Sequence, residues 1–337
     1  MRLLTFFCLA LLISFDNQPV LAQIRPVRKA IPINPADVSA PENEDQPGKP
    51  PHPQNPTQPD FVPPEPGIGV AAQPGRPMRS SAYPADAPLT IASSAIMVDA
   101  RKGSVLYFKN PDVPRPVAST QKLLTALLIV EHGGLDDRVR ISAEDCAVEP
   151  TKLGFHPGEI YTKRQLLGAM LVHSCNDAAV CLARNDAGSI GAFARLMNAR
   201  AASLGAFSSH FVNPNGLPRP GQYSTARDMV KIAFAAYHNP TLRFYMGMPG
   251  MNFVYNTGRV RFLEPTNKLV LRSAMFTGMK TGYTDASGRC LVSSATGGDR
   301  DVILVQLGGT HHTLFDDAQR LLTWGLDTKP PGLVNGT

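Results

Sequence analysis

Beyond Leu89 the chain falls into short apolar runs separated by polar turns, and the spacing within each run predicts an element. Ala95-Ile96-Met97-Val98 and Val105-Leu106-Tyr107 read as two strands joined by the turn Arg101-Lys102-Gly103. From Thr120 to Glu131, Leu123, Leu124, Leu127 and Leu128 recur at the spacing of one helix face. Thr162 stands where an N-cap belongs, ahead of Leu166, Leu167, Met170 and Leu171. Further helices fit 177–187, 190–204 and 225–237. The period then changes to that of strands in Gly278 to Gly282, Cys290 to Ser294 and Val302 to Leu307, before a closing helix around Leu314 to Leu326. Strands early, helices in the middle, strands late and a last helix predict one α+β domain over 89–328. In it the early hairpin rejoins the late strands in a mostly antiparallel sheet covered by helices. A short tail, 329–337, follows, and no internal repeat is visible.

Before Leu89 this patterning stops. Pro26 to Pro88 holds 17 of the chain's 31 prolines, mixed with Gln, Asn, Asp, Glu and Gly. Such a stretch buries too little apolar surface to offset the entropy of ordering. Residues 23–88 are therefore expected to be an extended, partly polyproline linker; the alternative is a docking segment for a partner. Further upstream, Arg2 precedes the apolar run Leu3 to Phe15, which is short for a membrane span and is broken by Asp16, Asn17 and Pro19. Val20 and Ala22 fit the small-residue positions of a signal-peptidase site. Residues 1–22 thus predict a signal peptide cleaved before Gln23, with an uncleaved anchor as the alternative. No later stretch predicts a transmembrane helix, so the mature chain is expected to be exported, to the periplasm or cell-wall space.

The net charge of +6 suits an anionic neighbourhood, but no basic cluster interleaved with aromatics points to nucleic acid. Cleavage would leave Cys146, Cys175, Cys181 and Cys290, expected to be small buried residues rather than a disulfide framework. His311 and His312 are adjacent and lack the spacing of a metal-ligand pair, so they are expected in a surface loop.

Three short patterns carry chemistry. Ser119-Thr120-Gln121-Lys122 sets a hydroxyl and an amine at i and i+3, which share a face on a helix. A serine hydroxyl needs an adjacent base. Lysine serves only when burial or a positive neighbour lowers its pKa. The start of a helix would also offer free N–H groups to an oxyanion. Alone this pattern is weak, since roughly one S-x-x-K arises by chance in a chain of this length. Ser174-Cys175-Asn176 supplies a second hydroxyl to relay a proton and an amide to hold a substrate carbonyl. Lys280-Thr281-Gly282 offers an ammonium and a hydroxyl to a terminal carboxylate, with glycine permitting close approach. Its chance expectation is roughly 0.1 per chain.

Each pattern occurs once, in this order, in helix, loop and strand contexts. Together they match the S-x-x-K, S-D-N and K-T-G set of penicillin-binding proteins and class A β-lactamases. The chain resembles the low-molecular-mass penicillin-binding proteins of the S11 peptidase type, the D-alanyl-D-alanine carboxypeptidases. The likeness extends over about residues 90 to 326. It takes in Val98-Asp99-Ala100, Gly103 to Tyr107, Pro116-Val117-Ala118-Ser119, Ser174 to Ala179 (similar to the family's S-G-N-D-A), Phe211 to Leu217 and Tyr223 to Asp228. The resemblance implies that Ser119 attacks the penultimate D-alanine carbonyl of peptidoglycan stem peptides, with Lys122 as base. It implies that Ser174 and Lys280 complete the proton path, that Asn176 positions the peptide, and that Lys280 and Thr281 grip the carboxylate beside Gly282. The oxyanion would lie on the N–H groups of Ser119 and Tyr283. No metal or cofactor is implied, and β-lactams would acylate Ser119.

Two departures stand out. Cys175 replaces the usual glycine, which predicts a thiol at the cleft that narrows it. Members with a second, β-rich domain and a membrane-binding tail continue well past the catalytic domain. Here the sequence stops soon after Trp324, so membrane attachment is not implied. A class A β-lactamase would need a glutamate on a loop some dozens of residues after the second motif; Glu264 falls too late. A D,D-endopeptidase cutting crosslinks would use the same residues, and a non-catalytic peptidoglycan-binding module is the third alternative.

Overall fold

The computed structural model describes residues 84, 86–310 and 313–328. The expected signal peptide, nearly all of the Pro-rich linker, His311, His312 and the tail 329–337 lie outside the described residues.

Strands β1 (Ser94–Asp99) and β2 (Val105–Lys109) form the expected hairpin. Asp99 Oδ1 closes its turn by accepting from the N–H of Arg101 at 2.8 Å and of Lys102 at 3.0 Å. A 3₁₀ turn, Ala118–Gln121, runs directly into α1 (Lys122–His132). The helical region then contains β3 (Arg138–Arg140), α2 (Ala143–Cys146), β4 (Ile160–Thr162), α3 (Lys163–Val172), α4 (Asn176–Ala187), α5 (Ile190–Ser203), α6 (Ala226–Tyr237) and α7 (Pro240–Met246). A small hairpin of β5 (Met251–Val254) and β6 (Val260–Leu263) precedes the long strands β7 (Phe276–Thr284), β8 (Gly288–Gly297) and β9 (Arg300–Gly309). Helix α8 (Leu314–Asp327) closes the domain.

The main sheet has the order β2-β1-β9-β8-β7, every pair antiparallel. The early hairpin does rejoin the late strands, and the α+β architecture is as expected. The ribbons β3/β4 and β5/β6 and the helix α7 were not anticipated. Both faces of the sheet are covered. Ile96, Val98, Val292, Ile303 and Val305 pack into the larger core with α1 and α6. Their alternates Ala95, Met97, Leu291, Val302 and Leu304 pack against Leu314, Ala318, Leu321 and Leu322 of α8. Since successive strand residues point to opposite faces, both sets must be apolar, and the strands read as near-continuous apolar runs.

Thr162 caps α3 as expected. Its Oγ1 accepts from the Gln165 N–H at 3.2 Å while Gln165 Oε1 accepts from the Thr162 N–H at 2.9 Å, a reciprocal capping box. Helix α1 has no exposed face over its first eight residues, Lys122 to Ile129 all being buried. A helix of that kind is enclosed by its neighbours, here α3, α4, α5, α6 and α7. The four described cysteines are free thiols. Cys175, Cys181 and Cys290 are buried as expected, whereas Cys146, at the end of the short α2, is partly exposed. Among the described residues no helix is long and apolar enough to cross a membrane.

Candidate active site

Ser119 lies in the 3₁₀ turn and Lys122 is the first residue of α1. In 3₁₀ geometry the side chains at i and i+3 eclipse. Lys122 therefore stands over Ser119, its Nζ 2.7 Å from Ser119 Oγ. Ala118, just before the serine, has φ 47. That left-handed conformation costs a non-glycine residue about 1–3 kcal/mol and must be held by surrounding packing.

Lys122 Nζ is also 2.6 Å from Asn176 Oδ1, 2.9 Å from the Asn215 carbonyl oxygen and 3.4 Å from Ser174 Oγ. The amine donates to these carbonyl-type oxygens and to the Ser119 hydroxyl, whose own O–H donates to the Asn215 carbonyl at 3.2 Å. Burial pushes the Lys122 pKa well below the usual lysine range, and the charge of nearby Lys280 pushes it the same way. The enclosure of α1 is thus the source of this basicity shift.

Ser174 sits between α3 and α4 with φ 68. Asn176 opens α4 and is only 3% exposed. Its amide is occupied at both ends, Oδ1 by Lys122 and Nδ2 by the Pro150 carbonyl, while its backbone N–H donates to the Thr151 carbonyl at 2.8 Å. Asn176 therefore ties the amine to the loop at the cleft wall.

On the opposite wall, β7 brings Thr281, Gly282 and Tyr283 to a cleft of about 460 Å³ that they share with Ser119 and Ser174. A Cβ at Gly282 would stand 2.9 Å from the Ser119 nitrogen, so β7 can lie against the Ser119 turn only with glycine there. Lys280 is fully buried behind this wall. Its Nζ donates to the Thr281 carbonyl at 2.9 Å and makes no hydrogen bond to Ser174 among the described residues. Burial lowers its pKa to about 7.

Sequence reasoning gave no role to the stretch from Asn213 to Gly216, yet it straps the site. Gln121 Nε2 donates to the Asn213 carbonyl at 2.5 Å, and Thr125 Oγ1 to the Pro214 carbonyl at 2.7 Å. The Asn215 carbonyl accepts from both Lys122 and, at 3.2 Å, Ser119. Gly216 has φ 86, and a Cβ there would fall 2.1 Å from the Ala118 carbonyl oxygen. The run Asn-Pro-Asn-Gly was the available signal.

Cys175 corrects an expectation. Its side chain turns inward at the start of α4, is fully buried in the larger core and does not line the cleft. It narrows nothing. Burial pushes the thiol up to about 12, which keeps it protonated. Glu264 borders the cleft, but its carboxylate accepts from Lys268 Nζ at 3.0 Å, which holds it below the usual range.

A profile of peptidase S11, described as D-alanyl-D-alanine carboxypeptidase, matches residues 81–311. The chain is 36% identical over 251 residues to a D-alanyl-D-alanine carboxypeptidase of Mycobacterium tuberculosis, covering 72% of this chain and 85% of that one. It is 34% identical over 254 residues to a D-alanyl-D-alanine endopeptidase of Escherichia coli, covering 73% and 80%. The crystal structure of a Mycobacterium tuberculosis D-alanyl-D-alanine carboxypeptidase superposes with a TM-score of 0.69 at 34% identity, covering 72% of this chain and 94% of that one. Antiparallel sheet, enclosed helix and serine-bearing turn thus belong to an active-site-serine peptidase. The chain is a member of the peptidase S11 family, the D-alanyl-D-alanine carboxypeptidases.

Proposed function

We propose that Ser119 is the nucleophile of a serine D,D-carboxypeptidase that removes the terminal D-alanine from peptidoglycan stem pentapeptides. The observation that carries this reading is the 2.7 Å contact between Ser119 Oγ and a buried lysine amine whose pKa burial and Lys280 hold well below the usual lysine range. Ser119 Oγ attacks the carbonyl carbon of the penultimate D-alanine, and Lys122 Nζ takes the hydroxyl proton. The negative charge formed on the carbonyl oxygen is held by the N–H groups of Ser119 and Tyr283. The C–N bond then breaks, and the leaving amine of D-alanine receives a proton from Lys122, with Ser174, 3.4 Å away, as the relay and Lys280 behind it. Water hydrolyses the acyl ester and restores Ser119. Thr281 offers its hydroxyl to the substrate's carboxylate, and Asn176 keeps Lys122 and the cleft wall in register.

β-Lactams resemble the acyl-D-alanyl-D-alanine end and would acylate the same serine. Fluorescent penicillin should label the wild-type protein and fail to label Ser119→Ala. Labelling that survives in Ser119→Ala, or a wild type that takes no label and releases no D-alanine, overturns the assignment. The Escherichia coli relative named an endopeptidase supports a second reading, the cutting of crosslinks by the same residues. Digestion of purified muropeptides separates the two: free D-alanine from pentapeptide monomers marks a carboxypeptidase, and loss of crosslinked dimers an endopeptidase. The substrate lies outside the cytoplasm. That supports reading residues 1–22 as an export signal, 23–88 as a tether that gives the domain reach, and 89–328 as the working unit. N-terminal sequencing of the mature protein, expected to begin at Gln23, checks the first of these.

A further inference from the structure

The acyl-enzyme reading gives the substrate a direction along β7. Its terminal carboxylate meets Thr281, and its scissile carbonyl meets the N–H of Tyr283. The acyl arm, the part that stays on Ser119, therefore continues toward Thr284 and the turn after it. β7 is the outer strand of the main sheet, so this path follows a free edge. A second cavity, of about 230 Å³, opens at that end. It shares no lining residue with the cleft, yet the two meet along the chain at Ala118–Ser119 and at Tyr283–Thr284. Arg219 lines it, together with Ala118, Gly216, Gln222 and Thr284. Gln222 fixes the loop that carries Arg219. Its Oε1 accepts from the N–H groups of Val212 at 3.0 Å and Asn213 at 3.1 Å, and its Nε2 donates to the Leu217 carbonyl at 3.0 Å. Pro218 and Pro220 flank Arg219 and restrict the backbone there. Arg219 is exposed and has no ion-pair partner among the described residues, whereas Arg164, Arg184, Arg200 and Arg227 are each held by a carboxylate. Asp285, next to Thr284, is not in the lining and accepts from Tyr283 Oη at 2.8 Å.

We propose that this cavity receives the side chain of the residue preceding the penultimate D-alanine, and that Arg219 there selects a side chain ending in a carboxylate. The inference rests on the acyl-enzyme reading above and adds to it a determinant of which stem peptides are taken. The cavity begins at Ala118, one residue from Ser119, so the residue next to the acylated D-alanine is the one within reach. A guanidinium presents two parallel N–H donors to a carboxylate. No other residue of the lining carries a charge. The sign of the preference is therefore set by Arg219 alone: an anionic end is favoured over a purely cationic one. Because Arg219 is exposed, water competes for it and the preference is modest.

The test compares Arg219→Gln and Arg219→Lys with wild type in the full-length protein. Release of D-alanine is measured on two N-acylated peptides X-D-alanyl-D-alanine, with X either lysine or meso-diaminopimelate. The two differ by a single carboxylate at the end of the side chain. Wild type should favour the diaminopimelate peptide by about two- to tenfold in kcat/KM, the range for a pair between an exposed cation and a carboxylate. Added salt should shrink that preference. Arg219→Gln should remove it, and Arg219→Lys should keep part of it. A wild type indifferent to the carboxylate, a preference that survives in Arg219→Gln, or equal losses on both peptides overturns the proposal. Labelling with fluorescent penicillin separates this failure from that of the parent reading: if only Arg219 is misassigned, wild type is still labelled at Ser119, and if the acyl-enzyme reading fails it is not.

Discussion

At Lys280 stability opposes the proposed catalytic role, and Lys280→Met exposes the conflict. The side chain is fully buried, and burial brings its pKa from 10.5 to about 7. In the unfolded chain the amine keeps its proton up to about pH 10.5, whereas in the folded protein it gives the proton up near 7. Between these values the unfolded state binds more protons, so this group makes stability rise with pH over that window. The difference between 10.5 and about 7, at about 1.4 kcal/mol per pH unit, corresponds to about 5 kcal/mol of penalty for the buried ammonium, and about 4 kcal/mol of it is felt at pH 7. Methionine has a similar shape and no charge. It forfeits the contact to the Thr281 carbonyl, worth about 1 kcal/mol. Lys280→Met should therefore be more stable than wild type at pH 7 by about 2–4 kcal/mol, with the gain shrinking as pH rises toward 10.5. Urea denaturation at a series of pH values from about 7 to 9.5 measures this directly. The same variant should be acylated by penicillin about 10²–10⁴-fold more slowly if Lys280 serves the proton path proposed above. A variant no more stable than wild type at pH 7, or one whose advantage holds constant with pH, refutes the reasoning.

Lys122→Met should slow penicillin acylation by about 10²–10⁴-fold while the protein still melts cooperatively, followed by stopped-flow labelling and calorimetry. With the uncharged amine as the proposed base, the acylation rate should fall as pH drops through the depressed Lys122 pKa and show no further step where an ordinary lysine titrates. An acid limb that survives in Lys122→Met would assign it to another group. Gly216→Ala places a methyl 2.1 Å from the Ala118 carbonyl oxygen at φ 86. It should lower stability by about 1–3 kcal/mol and slow acylation, read by thermal melting and labelling.

The sheet and the helices that cover it were legible because their signals are local and redundant. The long strands carry apolar side chains on both faces, and α3 carries its own start signal in Thr162 and Gln165. The β5/β6 hairpin was illegible for the opposite reason: Val254, Val260 and Phe262 are exposed, so burial imposes no clear alternation. Helix α7 had a usable signal, Asn239 as N-cap with Pro240 in the first turn, that periodicity alone overlooks. In the site, residue identity gave Ser119 and Lys122 because their chemistry lies in their side chains. Asn215 contributes a main-chain carbonyl, which any residue type would supply, so only its neighbour Gly216 leaves a trace in the sequence. Cys175 was misplaced because a helix cap can turn its side chain either inward or outward, and the surrounding core decides which.

The enclosure of α1 has a consequence for how this enzyme can fail. The Ser119 turn is continuous with an enclosed helix, so Ser119 is held to its partners as long as Leu123, Leu124, Leu127 and Leu128 stay in the interior. Unfolding of α1 and loss of the Ser119–Lys122 geometry are then a single event. A molecule in which α1 has unfolded is inert rather than half-armed, a useful property for a hydrolase that acts on the cell wall.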